Sequence, residues 1–294
     1  MKKLNYQKID AFTTEVSTGN PAACIYLEKG QTLTDIEMLN IAKEHKGFVS
    51  EVVFCTPQKD KEYRLKYYSS ECEVDFCGHG TIACIYSLLK GTKDLTHIPQ
   101  ITIYTKHSSL TVYNEIDSLD AVFITSPEPQ YLTHDLNISL VSDALKITPQ
   151  AISREYPIEL INAGLKTLIV PISSLNNELS ISPDEYLLKM FCLNHSIDIV
   201  LSFTTEVSNS NNKIRTRVFA PKFGYLEDKA TGSGNSAFGY YMLKYNMWDG
   251  RPISIEQNSE YSAYNMIWLK TLNNRVLFGG KANVRIEGMY FCNN

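Results

Sequence analysis

A glycine-opened segment occurs twice in this 294-residue chain, and its repetition limits the possible folds more than any other feature. Residues 77–90 read CGHGTIACIYSLLK and residues 231–244 read TGSGNSAFGYYMLK, in a register set by Gly78 and Gly232 (232 − 78 = 154). Two glycines, an alanine, a tyrosine and a Leu-Lys pair coincide in that register. Agreement on this scale indicates a duplicated unit rather than two unrelated helix starts.

The elements before each copy repeat as well. One predicted helix is capped by Thr34, has Glu37 completing a capping box, and ends at Gly47. The matching helix in the second half is expected to be capped by Ser182, with Pro183 in its first turn. Each helix is followed by an apolar strand and then by a strand of alternating polarity.

These repeats predict an α+β chain of two similar halves. A boundary is expected near SPEPQY, because its prolines and polar residues interrupt both helical and strand periodicity. We expect a first half of residues 1–127, with Glu51 and the CGHG helix start, and a second half of residues 128–294, with Asp228 and the TGSG helix start. This expectation leaves room for the last strands of the chain to return to the first half.

Composition excludes several classes of protein. The formal charge of -4 and the pI near 5.9 give no electrostatic reason to expect nucleic acid or an anionic membrane as a partner. The N-terminal segment lacks the apolar core of a signal peptide, and no apolar run approaches the roughly 18 residues of a membrane span. The seven cysteines are odd in number, which favours reduced thiols in a cytoplasmic protein over a disulfide framework.

Cys72, Cys77, His79 and Cys84 form a cluster in sequence that invites a metal-site interpretation. Their spacing, C-x4-C-x-H-x4-C, is not a recognised zinc pattern, and no second ligand pair follows nearby. Cys84 would also lie about one turn inside the following helix, where packing decides its direction. We therefore expect no metal at this cluster.

Each glycine-rich turn can present backbone N–H groups at the start of a helix, where the helix dipole is positive. Two such ends, at Gly78–Gly80 and at Gly232–Gly234, would meet at one interdomain cleft. Neither turn matches a P-loop or a dinucleotide-binding fingerprint, so a small carboxylate is a better ligand than a polyphosphate. The alternative interpretation is that these glycines only allow tight packing of a helix on a sheet.

Differences between the duplicated halves identify candidate catalytic residues. Glu51 lies in an apolar strand-like run where the second half has Val200, so it either faces solvent or lies in a dry cleft. Desolvation in such a cleft would raise its pKa toward neutrality, as a general acid or base requires.

Asp228 and His79 are two further differences. Asp228, opposite Val74, can hold a polar substrate group or orient a proton, or it only complements the helix dipole. His79, opposite Ser233, can bind a substrate carboxylate or relay a proton, or it only bonds the local backbone.

Cys77 has Thr231 as its counterpart. Cofactor-independent racemases use two thiols that face each other across the substrate, one from each half. The second thiol is missing here, which disfavours a two-cysteine epimerase. Cys77 then either works with Thr231 in an epimerase or dehydratase, or is a buried apolar residue.

Several motifs in order, KIDAFTTEVSTGNPAACIYL, FVSEVVF, ECEVDFCGHGTIA, RVFAP and EDKATGSGNSA, resemble the phenazine-biosynthesis PhzF-like family. The resemblance covers nearly the whole chain. It implies the diaminopimelate epimerase-like fold, in which two pseudo-symmetric halves each wrap a curved, mostly antiparallel sheet around a central helix. It also implies a homodimer that isomerises a small cyclic carboxylic acid without a cofactor, with a glutamate moving the proton.

The resemblance assigns roles by motif match. Glu51, His79 and Asp228 would be the catalytic residues. The substrate-binding residues would be Asn20, Ser50, Gly78, Gly80, Gly232 and Ser233. Lys229 stands where the family usually has proline, and EQN (256–258) stands where EQG is usual. These departures keep open an amino- or imino-acid epimerase or dehydratase that uses Cys77 and Thr231, and a non-catalytic carboxylate-binding protein.

Overall fold

The structure, a computed structural model, describes residues 1–292. One compact unit contains residues 1–13, 18–125 and 279–292, and the other contains residues 14–17 and 126–278. The division expected from the sequence after residue 127 stays a prediction.

Strands outnumber helices in both units. The strands are β1 (Lys2–Ala11), β2 (Asn20–Tyr26), β3 (Val52–Pro57), β4 (Glu62–Tyr68), β5 (Glu73–Val74), β6 (Gln100–Tyr104), β7 (Ser109–Glu115), β8 (Ala121–Thr125), β9 (Gln130–Leu132), β10 (Glu159–Asn162), β11 (Lys166–Pro171), β12 (Ile199–Thr204), β13 (Ile214–Phe219), β14 (Glu227–Asp228), β15 (Ile253–Gln257), β16 (Asn265–Leu272), β17 (Arg275–Gly280) and β18 (Ala282–Cys292). The helices are α1 (Asp35–Glu44), α2 (Gly78–Gly91), α3 (Ile116–Leu119), α4 (Ile138–Leu145), α5 (Leu175–Ser180), α6 (Glu185–Asn194) and α7 (Gly232–Lys244), with 3-10 turns at Pro149–Ala151 and Pro221–Phe223. Within residues 1–292, none of the helices has the length and apolar character that crossing a membrane requires.

The two units repeat one pairing pattern. In the first unit β2 and β3 are parallel, β4 pairs antiparallel with β3 and β5 and parallel with β6, and β6 pairs antiparallel with β7. In the second unit β11 and β12 are parallel, β13 pairs antiparallel with β12 and β14 and parallel with β15, and β15 pairs antiparallel with β16. The duplication predicted from the glycine repeat is therefore present in the topology.

A central helix packs on the sheet of each unit. In the first unit α2 contacts β1, β2, β3, β8 and β18, and its buried face includes Ile82, Ala83 and Ile85. In the second unit α7 contacts β10, β11, β12 and β16 and is buried along most of its length. Each sheet thus surrounds one apolar helix, whose N-terminus opens at the glycine turn.

The caps of the outer helices agree with the sequence in one unit only. The Thr34 hydroxyl accepts the Glu37 N–H at 3.2 Å, and the Glu37 carboxylate accepts the Thr34 N–H at 2.7 Å, which confirms the capping box of α1. The cap predicted at Ser182 is wrong. The side chain of Asp184 accepts the Leu187 N–H at 2.9 Å instead, and its charge also complements the helix dipole.

Strand β13 is buried along its whole length, although its alternating sequence is typical of a strand with one polar face. The polar positions hold ion pairs: Arg215 Nη1 lies 2.9 Å from Glu256 Oε2, and Arg217 Nη2 lies 2.8 Å from Glu227 Oε2. Removing one partner would leave a buried charge uncompensated, which typically costs about 3–5 kcal/mol. The arginines therefore hold this strand inside the second unit.

Glu178 of α5 is a fully buried acid. Its Oε1 accepts the Ser202 hydroxyl at 2.7 Å, while Oε2 has no hydrogen-bond partner in the part of the chain that the structure describes. Burial raises the pKa of Glu178 to about 8, against a smaller lowering by Ser202 and by the charge of Arg217. The side chain is accordingly protonated at neutral pH.

Because the folded pKa of Glu178 lies above its unfolded value of about 4.3, its stabilisation is complete at low pH and is lost as the pH rises through about 8. Glutamine does not titrate, so wild type should lose stability relative to Glu178→Gln as the pH rises. The free energy of unfolding of Glu178→Gln minus that of wild type should increase by about 2–3 kcal/mol from pH 5.5 to pH 7.5. Urea denaturation at both pH values measures this difference, with exposed Glu155→Gln as the control. An equal difference at both pH values would mean that Glu178 is ionised in the fold.

Candidate active site

The start of α2 is packed closely against the neighbouring strand. Cys77 is the N-cap residue, and its Sγ accepts the Gly80 N–H at 3.3 Å. A Cβ on Gly80 would lie 2.8 Å from Val53 Cγ2 and 3.0 Å from Cys77 Sγ, so no larger residue fits without movement. Tight packing of the helix on the sheet therefore accounts for Gly80. This was one of the two interpretations that the sequence allowed for the turn.

Glu51 lies immediately before β3 rather than inside a strand, which corrects the expectation from the apolar run. Its backbone C=O accepts the Ala23 N–H at 3.2 Å and continues the pairing of β2 with β3. The Glu51 side chain is 16% exposed and that of His79 is 12% exposed. Of the two alternatives for Glu51, a largely dry position is the one observed.

Ser50, Glu51, Cys77 and His79 form one cluster. His79 Nε2 lies 3.2 Å from Glu51 Oε2 and 3.3 Å from Ser50 Oγ, and Cys77 Sγ lies 3.5 Å from His79 Nδ1. Among residues 1–292, no donor makes a well-directed hydrogen bond to the buried Glu51 Oε2. The contact between Glu51 and His79 is therefore an ion pair.

The ion pair controls the protonation states in this cluster. Burial raises the pKa of Glu51, but His79 above all, helped by Ser50 and Cys77, lowers it further, so the net pKa is below its usual value. The rise toward neutrality expected from the sequence is thus wrong. Burial lowers the pKa of His79, whereas Cys77 and Glu51 raise it well above its usual value, and burial raises the pKa of the Cys77 thiol. At neutral pH Glu51 is a carboxylate and Cys77 is a neutral thiol, and the charge of Glu51 favours the imidazolium form of His79.

The ligand atoms of Glu51, Cys77 and His79 lie within 4.8 Å of one another, and they are the group within residues 1–292 that could hold a metal ion. Cys77 Sγ is 3.5 Å from Nδ1 and 3.7 Å from Nε2 of His79, so it lies over the ring face and off both lone pairs. A tetrahedral ion needs lone pairs that converge on it. Cys72 is exposed and Cys84 is buried inside α2, so the spacing from 72 to 84 does not form a shared site.

The second unit brings other predicted residues together at the start of α7. The hydroxyl of Thr231, the N-cap residue, donates to Asp228 Oδ2 and, in the described part of the chain, does not cap the helix. A Cβ on Gly232 would lie 2.3 Å from the Phe278 ring, so this glycine also permits a close approach. Ser233 follows in the first helical turn and is half-buried.

The remaining predicted residues are placed as follows. Asn20 begins β2 and is buried, and Gly78 begins α2. Lys229 has an exposed side chain, and its C=O accepts from Asn265 Nδ2 at 2.7 Å. Sequence reasoning missed Gln257, which bonds both the Asp228 backbone and Thr231. The signal that could have identified it is the EQN motif, which was noted only for its third residue.

Comparison with known proteins places the chain in a family. The model of the family described as phenazine biosynthesis-like protein matches residues 9–288. The uncharacterized isomerase YfhB of Bacillus subtilis is 30% identical, over 88% of each chain. The trans-2,3-dihydro-3-hydroxyanthranilate isomerase of Pseudomonas fluorescens is 24% identical, over 90% of each chain.

The fold is likewise that of a solved structure. The PhzF-family phenazine biosynthesis protein of Bacillus anthracis superposes with a TM-score of 0.84 at 23% identity, covering 99% of this chain and 100% of that one. The predicted α+β fold of diaminopimelate epimerase-like type is confirmed. The chain belongs to the phenazine biosynthesis-like protein family, and it is an isomerase.

Proposed function

We propose that this isomerase moves a proton on a small carboxylic acid, with Glu51 as the general acid and base and with no cofactor. One observation carries the proposal: Glu51 Oε2 is buried, lies 3.2 Å from His79 Nε2, and accepts no well-directed hydrogen bond from any described residue. Buried polar atoms are nearly always satisfied, and a catalytic role is one explanation for a buried carboxylate oxygen without a donor, supported here by the contact with His79. In that role the oxygen receives a proton from the substrate.

The chemistry conserves atoms and charge. The Glu51 carboxylate takes a proton from a carbon of the substrate, and the bonding electrons delocalise toward the substrate's own carboxylate. Glu51, now neutral, returns the proton to a different carbon, and the double bond shifts. His79, protonated at neutral pH, stabilises the negative charge that develops between the two steps.

The predicted binding residues support a class of substrate. Gly78 and Gly80 begin α2, while Gly232 and Ser233 begin α7, and a helix start attracts a carboxylate. Asp228, Ser50 and Asn20 would bind the polar ring substituents. The substrate in the name of the Pseudomonas relative is a ring with a carboxylate, an amino group and a hydroxyl group, and we propose a small cyclic acid of that class.

The alternative that uses Cys77 and Thr231 receives less support. Burial raises the pKa of the Cys77 thiol, so the thiol stays protonated at neutral pH and is a poor base. The Thr231 hydroxyl donates to Asp228, and an alcohol has no basicity near pH 7. The cluster around Glu51 also argues against a purely binding role, since binding alone gives no reason for an unsatisfied carboxylate.

Glu51→Gln should lower turnover by at least about 100-fold, because general acid–base catalysis contributes about 10²- to 10⁴-fold. Deuterium incorporation from D2O into trans-2,3-dihydro-3-hydroxyanthranilate and a panel of cyclic and amino acids, followed by NMR, measures the exchange. Cys77→Ser and the exposed Glu71→Gln are the controls and should retain exchange. Label that survives Glu51→Gln but not Cys77→Ser would reassign the base to Cys77. If wild type binds an acid, raising its melting temperature, yet exchanges no label, the protein is a binding protein.

The kcat/KM profile should reflect the lowered pKa of Glu51 and the raised pKa of His79. Glu51 works ionised, so activity should fall on the acid side only below about pH 4.3, the usual carboxyl value. His79 works protonated, so activity should fall on the alkaline side only above about pH 6.5, the usual imidazole value. Both limbs belong to the coupled pair, and His79→Asn should abolish the alkaline one. An acid limb centred near pH 6 would contradict the ionised state of Glu51.

We also propose that the protein is a homodimer, as the family resemblance suggests. We propose that it is cytoplasmic, as its seven free cysteines suggest. Light scattering at micromolar concentration should then give twice the chain mass of 33.3 kDa. A mass of one chain under these conditions would rule out the dimer.

A further inference from the structure

Gln257, the last residue of β15, uses its whole side-chain amide on the turn before α7. Its Nε2 donates to the Asp228 C=O at 2.8 Å and to Thr231 Oγ1 at 3.2 Å. Its Oε1 accepts the Thr231 N–H at 3.0 Å and the Asn235 Nδ2 at 2.7 Å. The residue is fully buried, and the three bonds to Thr231 and Asn235 are buried with it.

Two backbone groups fix the orientation of this amide. The Thr231 N–H can only donate, so the atom that it meets must be Oε1 of Gln257. The Asp228 C=O can only accept, so the atom that it meets must be Nε2. Both constraints assign the same orientation, independently of each other.

This orientation in turn fixes the Thr231 hydroxyl. Because Nε2 of Gln257 donates to Thr231 Oγ1, that oxygen is the acceptor, and its proton must point to another group. The group within reach is Asp228 Oδ2. A donated proton stabilises the ionised form of a carboxylate. The chain of bonds from Gln257 through Thr231 to Asp228 therefore has one direction only.

The same bonds leave the start of α7 open. A threonine at an N-cap position usually accepts the N–H two or three residues further on. Thr231 makes no such bond within residues 1–292, and its hydroxyl is turned toward Gln257 and Asp228 instead. In the first unit the equivalent Cys77 does cap α2, through the Gly80 N–H. The first-turn amides of α7 are thus kept from an internal cap.

The first unit lacks the whole arrangement. The parallel pairing of β4 with β6 ends at Arg64 and Tyr104, and that of β13 with β15 continues from Arg215 and Glu256 to Thr216 and Gln257. Extending the first register by one residue matches Gln257 with Thr105, which bonds Ser108 in its own turn. All three members are replaced together in the first unit: Asp228 by Val74, Thr231 by Cys77 and Gln257 by Thr105. A general requirement for stability of the duplicated scaffold would be met in both units.

We infer that Gln257 is a positioning residue for the reaction: it directs the Thr231 hydroxyl to Asp228 and keeps the start of α7 uncapped for a substrate carboxylate. The inference rests on the proposed function, in which Asp228 and the start of α7 bind the substrate. Gln257 itself acts through Thr231 and the turn.

Gln257→Met removes all four bonds at similar side-chain length, and kcat/KM for isotope exchange should fall about 10- to 100-fold through misplaced binding groups. Thr231→Val should reproduce the loss, and Thr231→Ser should restore most of the activity, which keeps the test decisive if Gln257→Met does not fold. Asn212→Ala is the control, since Asn212 is a buried amide that bonds Ser254 and Glu256 but not this turn.

A double-mutant cycle separates positioning from loss of stability. Gln257→Met should have little further effect on kcat/KM in an Asp228→Asn background, because the two residues act through one chain of bonds. Additive effects, or kcat/KM within about twofold of wild type in Gln257→Met and in Thr231→Val, would overturn the inference.

Hydrogen exchange of the backbone amides in residues 228–236 tests the turn without any substrate. Gln257→Met should raise exchange there, whereas Asn212→Ala should not. If wild type shows no isotope exchange with any acid, the proposed function fails, and amide exchange still decides whether Gln257 holds the turn. Unchanged amide exchange in Gln257→Met would overturn the inference even if the wild-type enzyme is active.

Discussion

The close approach of each central helix to its own sheet is the constraint on which the rest of the structure depends. A Cβ on Gly80 would lie 2.8 Å from Val53, and a Cβ on Gly232 would lie 2.3 Å from Phe278, so each helix can start where it does only because glycine is present. The same contact fixes His79, which precedes Gly80, beside the residue that leads into β3. That residue is Glu51, and the ion pair between the two follows from packing.

The two units share one backbone arrangement but carry different side chains at their helix starts. Cys77 closes the first turn of α2 by accepting an N–H, whereas Thr231 at the same place is turned toward Asp228. The first unit concentrates proton chemistry, with a carboxylate, an imidazolium and a neutral thiol in contact. In the second unit the hydrogen bonds run in one direction, from Gln257 through the Thr231 hydroxyl to Asp228. The helix starts are shared, and the residues that differ are the ones to which we assign the proposed chemistry.

The sequence predicted the features that repeat along the chain and those that depend on residues close together in sequence. The glycine register predicted two similar α+β halves, and the family resemblance predicted the epimerase-like fold. The α1 capping box could be predicted because it spans only three residues. The pKa of Glu51 was predicted with the wrong sign, since no pattern shows that His79, 28 residues away in sequence, lies at 3.2 Å. Gln257 was missed for the same reason: its partners are 22 to 29 residues distant. Ion pairing also hid the burial of β13, whose alternation suggested a polar face.

A lowered pKa makes Glu51 a weaker base, yet the ion pair that lowers it also limits the cost of reaction in a dry site. Before proton transfer the cluster contains one carboxylate and one imidazolium. In the proposed mechanism Glu51 would then be neutral, and the negative charge would have moved to the substrate beside the same imidazolium of His79. No unpaired charge is created in a medium of low polarity, where an isolated ion would cost many kcal/mol. In the proposed mechanism, the driving force lost through the lowered pKa of Glu51 would thus be offset by keeping one ion pair throughout the reaction.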